Sequence, residues 1–202
     1  MYKSQINTMY RRHNPLDRVY QGDILQNLSM KSLEYIDGEY DIISIDLPYA
    51  VVMTQDCDLE WDYNTRTSVK THDKYLPTIL ICPAYLAQLL KDGTHLKNIG
   101  QIMNKWNSDQ FKGIKKQNND RFHYLEEHTN LQVAELVIDF KHYYTIPRNA
   151  LYQVYTEKYL ASLNQLYREY LSQRFFNYLS RIGLPDISNC ESDEVAELTG
   201  SK

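Results

Sequence analysis

In residues 51–63, VVMTQDCDLEWDY, an apolar run stops at Thr54 and five reactive or charged side chains follow: Asp56, Cys57, Asp58, Glu60 and Asp62. If the segment is extended, residues two apart share a face. Asp56, Asp58, Glu60 and Asp62 then form a comb of mutually repelling carboxylates. A hard divalent cation would relieve that repulsion, which makes Asp56 and Asp58 a candidate magnesium site. Trp61 and Thr67 stand where a calcium loop needs glycine and glutamate, so that loop is excluded. The plainer expectation is a strand end whose carboxylates sit in water, and the sequence favours it. Cys57 lies between two carboxylates, the wrong neighbours for a nucleophilic thiol. It is expected to be a buried, inert cysteine.

A second constellation is Arg121, His123, Asp139 and His142. If "RFH" and "DFKH" are neighbouring strands, Arg121 and His123 share a face and offer a cation beside a general acid–base group. The competing expectation is the ordinary polar face of a sheet.

Two basic stretches could hold a partner. Residues 97–121 carry Lys97, Lys105, Lys112, Lys115, Lys116 and Arg121 against Asp109 and Asp120, with Trp106 and Phe111 among them. Lys112, Lys115 and Lys116 could contact an RNA or DNA backbone while a ring stacks on a base. A solvated lysine-rich helix is the simpler expectation, because the chain has a net charge of -4 and would repel a polyanion elsewhere. Further on, Arg174 and Arg181 lie seven apart with Tyr178 between them. This is an anchor composition for a protein partner, or a means of pinning the helix to its own domain.

The elements that must position these groups follow from pattern. A chain of 202 residues with 43% apolar and 24% charged content is long enough for one domain with additions. Eighteen tyrosines against five phenylalanines suit half-wet positions. Three cysteines without a CxxC pair exclude a zinc framework and point to a reducing, cytoplasmic setting. No stretch has the composition of a membrane span or a signal peptide. Residues 34–62 hold nine acidic residues and no lysine or arginine.

Strands are expected at 19–28 (entered through Gly22), at "DIISID" ending near Pro48, at "YAVVMTQ", at "LPTILIC", at "RFHYL" and within "AELVIDFKHYYTI". A helix is expected to start at Pro83 and end at Gly93, with further helical pieces to residue 118. Leu160, Leu163, Tyr167, Leu171, Phe175, Tyr178 and Ile182 recur at steps of three and four, the stripe of an amphipathic helix. Gly183 and Pro185 would stop it, and residues 185–202 read as an acidic tail.

The order "GDIL", "LPYAVVMTQDCDL", "LPTILICPAY", then a strand leading into "TIPRNAL", resembles the PemK/MazF-like family. The resemblance covers the barrel strands alone. It implies an SH3-like barrel and, for many members, an endoribonuclease toxin of a prokaryotic toxin–antitoxin pair. Thr54 matches the family's strand-closing hydroxyl, and Leu47-Pro48 stands where its toxins carry Arg-Pro, so the family's arginine is missing.

The expected fold is α+β: a small SH3-like β-barrel over residues 1–154 with a helical insertion near 83–118, a long C-terminal amphipathic helix over 155–184 and the tail. The expected function is a non-catalytic binding module of a prokaryotic toxin–antitoxin or phage-defence system, with another protein on the C-terminal helix, no cofactor and no membrane. The alternatives are an endoribonuclease using Thr54, Arg121 and His123, and a divalent-metal protein using Asp56 and Asp58.

Overall fold

Where apolar residues run without a break, both faces of a strand must be covered, and that requirement organises this chain. The computed structural model describes residues 8–67 and 72–181. Eight strands form one antiparallel sheet in the order β1-β8-β2-β3-β4-β6-β5, with β7 also paired to β4. The strands are β1 (Tyr10–Arg11), β2 (Asp23–Ile36), β3 (Glu39–Val52), β4 (Thr78–Leu86), β5 (Phe122–Leu125), β6 (Leu136–Asp139), β7 (Tyr144–Pro147) and β8 (Tyr159–Leu163). The helices are α1 (Asp56–Thr65), α2 (Ala87–Lys91), α3 (Ser108–Lys115), α4 (Arg148–Lys158) and α5 (Gln165–Leu179). The architecture is thus α+β, an antiparallel half-barrel with five helices among the described residues.

Alternation sends successive strand residues to opposite sides. Val51, Cys82 and Ala84 join one buried cluster with Leu171 and Phe175 of α5. Ala50, Val52, Ile79 and Ile81 join another with Leu59 of α1 and Leu151 and Tyr155 of α4. A third cluster, Leu90, Phe111, Ile114, Phe122 and Val137, seats α2 and α3 against β5 and β6. No helix among the described residues is long and apolar enough to cross a membrane.

Several boundaries differ from expectation. "DIISID" and "YAVVMTQ" are not two strands but one, β3, running through Pro48. Pro48 is tolerated because β4 pairs with β3 only at residues 49–52 and the β2–β3 pairing skips Asn27 and Pro48, so no ladder bond is required of it. Pro83 lies inside β4, between the stretches paired to β7 and to β6, and the following helix starts at Ala87. The carboxylate comb is helical, as α1, and not extended. The helix expected from residue 155 is divided: α4 ends at Lys158, β8 takes Leu160 and Leu163 into the sheet, and α5 begins at Gln165. Ile182, Gly183, Pro185 and the tail lie outside the described residues, as do residues 1–7.

Candidate functional site

A contiguous exposed apolar surface is built by β2 and β3. Each strand is fourteen residues long, and they pair in one register from Ile24↔Val51 to Ile36↔Glu39. Asp37 and Gly38 close the hairpin, both at positive φ (52° and 94°), the geometry of a two-residue turn whose twist matches the strands. β8 pairs with β2 only at residues 23–25, and β4 with β3 only at 49–52. Beyond those points neither edge of the ribbon has a strand beside it among the described residues. At 3.3 Å per residue, the stretch from Leu28 to the turn is about 30 Å long.

The two faces of this ribbon differ. Leu28, Met30, Ile45 and Leu47 face the core at its base, and the same face continues outward as Ser32↔Ile43, Glu34↔Asp41 and Ile36↔Glu39. The opposite face carries Ser29 bonded to Asp46 and Lys31 bonded to Ser44, then Leu33↔Ile42 and Tyr35↔Tyr40. Leu33, Tyr35, Tyr40 and Ile42 are 68, 67, 74 and 72% exposed. Glu34, Asp37, Glu39 and Asp41 have no ion-pair partner among the described residues. The outer ribbon is therefore aromatic and aliphatic on one side, and on the other carries Glu34, Glu39 and Asp41 together with Ile36 and Ile43.

The "QDCD" segment opens α1 and is tied down by arginines. Asp56 accepts from Arg18 Nη1 and Nη2 at 3.2 Å and from the Gln21 amide at 3.2 Å, and Arg168 Nη1 lies 3.1 Å away. Burial would raise the Asp56 pKa, but the two guanidiniums and the amide outweigh it and hold the carboxyl below its ordinary value. Asp58 takes no part in this cluster. No group of three or more potential metal ligands gathers among the described residues. Cys57, expected to be buried, is exposed, because the helix turns it outward toward an open cleft lined by Gln21, Gln55, Ser172 and Phe176. Thr54 Oγ1 accepts from the Leu80 amide at 2.7 Å, which closes the end of β3 onto β4.

The motif "GD" at the start of β2 is a structural knot. Gly22 has φ +81°, and a Cβ there would sit 3.2 Å from Leu163. Asp23 is fully buried and accepts from the Tyr20 amide at 2.7 Å, from Ser162 Oγ at 2.5 Å and from the Tyr155 hydroxyl at 2.5 Å, with the His13 ring 3.2 Å away.

β5 and β6 pair, but of "DFKH" only Asp139 lies in a strand, opposite Phe122, and Arg121 and His123 do not converge on one site. Arg121 donates to both oxygens of buried Asp139, at 2.8 and 2.6 Å. His142 Nδ1 approaches the same carboxylate at 3.5 Å. His123 is 3% exposed, its Nδ1 has no hydrogen-bond partner, and its ring packs near Phe140 and Tyr170. Burial, and then the Arg174 charge, push its pKa down to about 3. Neither residue shares a hydrogen bond or ion pair with Thr54.

On α3, Lys112 pairs with Asp109 at 3.2 Å, Lys115 with Glu135, and Lys116 is exposed. On α5, Arg174 donates to three carbonyls, those of Gln117, Asn119 and Phe122, at 2.6, 2.5 and 3.0 Å. It pins the helix to its own chain. Arg181 is exposed, 4.0 Å from the half-buried Tyr178 ring.

The ribbon was not anticipated, although Asp37-Gly38 between β-rich runs was its signal. No protein-family model matches this chain, and no curated protein is significantly similar to it.

Proposed function

We propose that this protein is a non-catalytic binding module whose main contact surface is the outer β2–β3 ribbon. The observation that carries the reading is the exposure of Leu33, Tyr35, Tyr40 and Ile42 together on one face. A two-stranded ribbon with both edges open is marginally stable alone, and a covered apolar face would stabilise it. Exposed Leu166, Phe176 and Leu179 on α5 offer the C-terminal helix as a second contact for a protein partner. Under the resemblance to PemK/MazF-like proteins, the half-barrel is an SH3-like one and the setting a cytoplasmic, prokaryotic toxin–antitoxin or phage-defence system.

The endoribonuclease reading has less support. His123 is buried and uncharged near neutrality, and Arg121 is engaged by Asp139. The magnesium reading at Asp56 and Asp58 meets a carboxylate already held by Arg18 and Arg168. Nucleic-acid binding through Lys112, Lys115 and Lys116 rests on Lys116 and on side chains that already have acidic partners.

Light scattering after size exclusion, together with capture on immobilised protein and incubation with a mixed RNA pool, tests the proposal. Wild type should associate with itself or a partner, a Tyr35→Ser/Ile42→Ser variant should not, and the RNA should stay intact. A strictly monomeric protein that captures nothing, or RNA cleavage lost in Arg121→Ala, would overturn it.

A further inference from the structure

We infer that the open edge of β3, from Glu39 toward Ser44, takes up an extended segment of a partner protein in which apolar and basic residues alternate. This rests on the binding-module reading and names the class of partner. An exposed strand edge presents unpaired N–H and C=O groups that a third strand satisfies. Residues of such a strand alternate between the two ribbon faces. One set meets Tyr40 and Ile42, which are 74 and 72% exposed, and favours apolar side chains. The other set meets Glu39 and Asp41, and then the half-buried Ile43, with Glu34 directly across from Asp41 on the same face. None of these three carboxylates is ion-paired among the described residues, so lysine or arginine completes them.

The charge pattern selects this edge and this occupant. The β2 edge carries Lys31 on its outer face and only Glu34 among strand carboxylates beyond it, so it is the less acidic of the two. A second copy of the ribbon would set Glu39 and Asp41 against their own kind, and like charges on facing strands are destabilising. Nucleic acid is repelled by the same carboxylates.

The test uses fluorescence anisotropy with three labelled peptides: alternating lysine and valine, the same residues in two blocks, and alternating glutamate and valine. The alternating lysine–valine peptide should bind about tenfold or more tightly than either of the others. Its affinity should fall about tenfold in Glu39→Lys/Asp41→Lys and partly in Glu39→Gln/Asp41→Asn, with circular dichroism unchanged. Equal binding of the block peptide, or binding unaltered by charge reversal, would overturn the inference. So would concentration-dependent dimerisation through the ribbon without peptide binding. If the peptide fails while Tyr35→Ser/Ile42→Ser still removes association, the partner class is wrong and the binding module stands. If neither matters, both fall.

Discussion

Tyr35 and Tyr40 face each other across the hairpin, ring centroids 5.1 Å apart, with both rings about two-thirds or more in solvent. A cross-strand aromatic pair contributes less than about 1 kcal/mol to its own ribbon. Replacing both by serine should therefore leave thermal unfolding of the whole chain nearly unchanged while removing partner capture. A melting curve run beside the capture assay checks this separation. A large loss of stability would mean that the pair serves the fold.

Asp62 links three segments from inside the domain. Its carboxylate accepts from Arg148 Nε at 2.7 Å and the Leu76 amide at 2.8 Å, and Arg66 lies 2.6 Å away. Removing one partner from a buried ion pair typically costs about 3–5 kcal/mol. Asp62→Ala should approach that range in urea unfolding, whereas Glu60→Ala, on the exposed side of α1, should change little.

His123 gives the fold a defined acid sensitivity. Its folded pKa of about 3 lies well below the ordinary value near 6.5, through burial and the Arg174 charge. Unfolding lets it take up a proton. The stability it contributes is present above about pH 6.5 and is lost as the pH falls toward about 3. His123→Leu stays close to histidine's volume and removes the titration. With the volume nearly matched and no Nδ1 partner to lose, it should be nearly neutral at about pH 7.5. It should become stabilising relative to wild type at about pH 5. Urea unfolding at both pH values checks this, and a constant difference would refute it.

Arg174 fixes α5 by three carbonyl contacts to residues 117–122. A lysine cannot reproduce the planar fork. Arg174→Lys should therefore behave like Arg174→Ala, each losing about 1.5–3 kcal/mol. Hydrogen exchange should report the loss first in α5 and at the start of β5.

Much of the sheet was legible because buried strands need unbroken apolar runs: "AVV", "ILIC" and "LVID" all pair as strands. What was not legible has specific causes. Prolines mark strand ends only where a ladder partner must be served: Pro48 has no partner in either neighbouring strand, and Pro83, though opposite Ala50 of β3, lies in the gap between the β7 and β6 pairings on its other edge. Acidic residues two apart are also four apart in pairs. Asp56 with Glu60 and Asp58 with Asp62 repel in a helix as they would in a strand, and the helix is favoured by the acids in its first turn and by the arginines that hold Asp56 and Asp62. Leu160 and Leu163 repeat at three residues, yet both they and Ala161 between them are buried, because β8 is covered on both sides. The arginines and His123 carried no sequence mark of their partners. Asp139 lies 18 residues from Arg121, and the Arg174 carbonyls more than fifty residues from it.

Amide hydrogen exchange across residues 26–48, with and without the alternating lysine–valine peptide, tests the central claim most directly. A third strand on the β3 edge predicts slowed exchange concentrated in β3 from Glu39 to Ser44, with β4 to β7 unaffected. Exchange on that edge left unchanged at saturating peptide, or slowed only in α3 or α5, would contradict it.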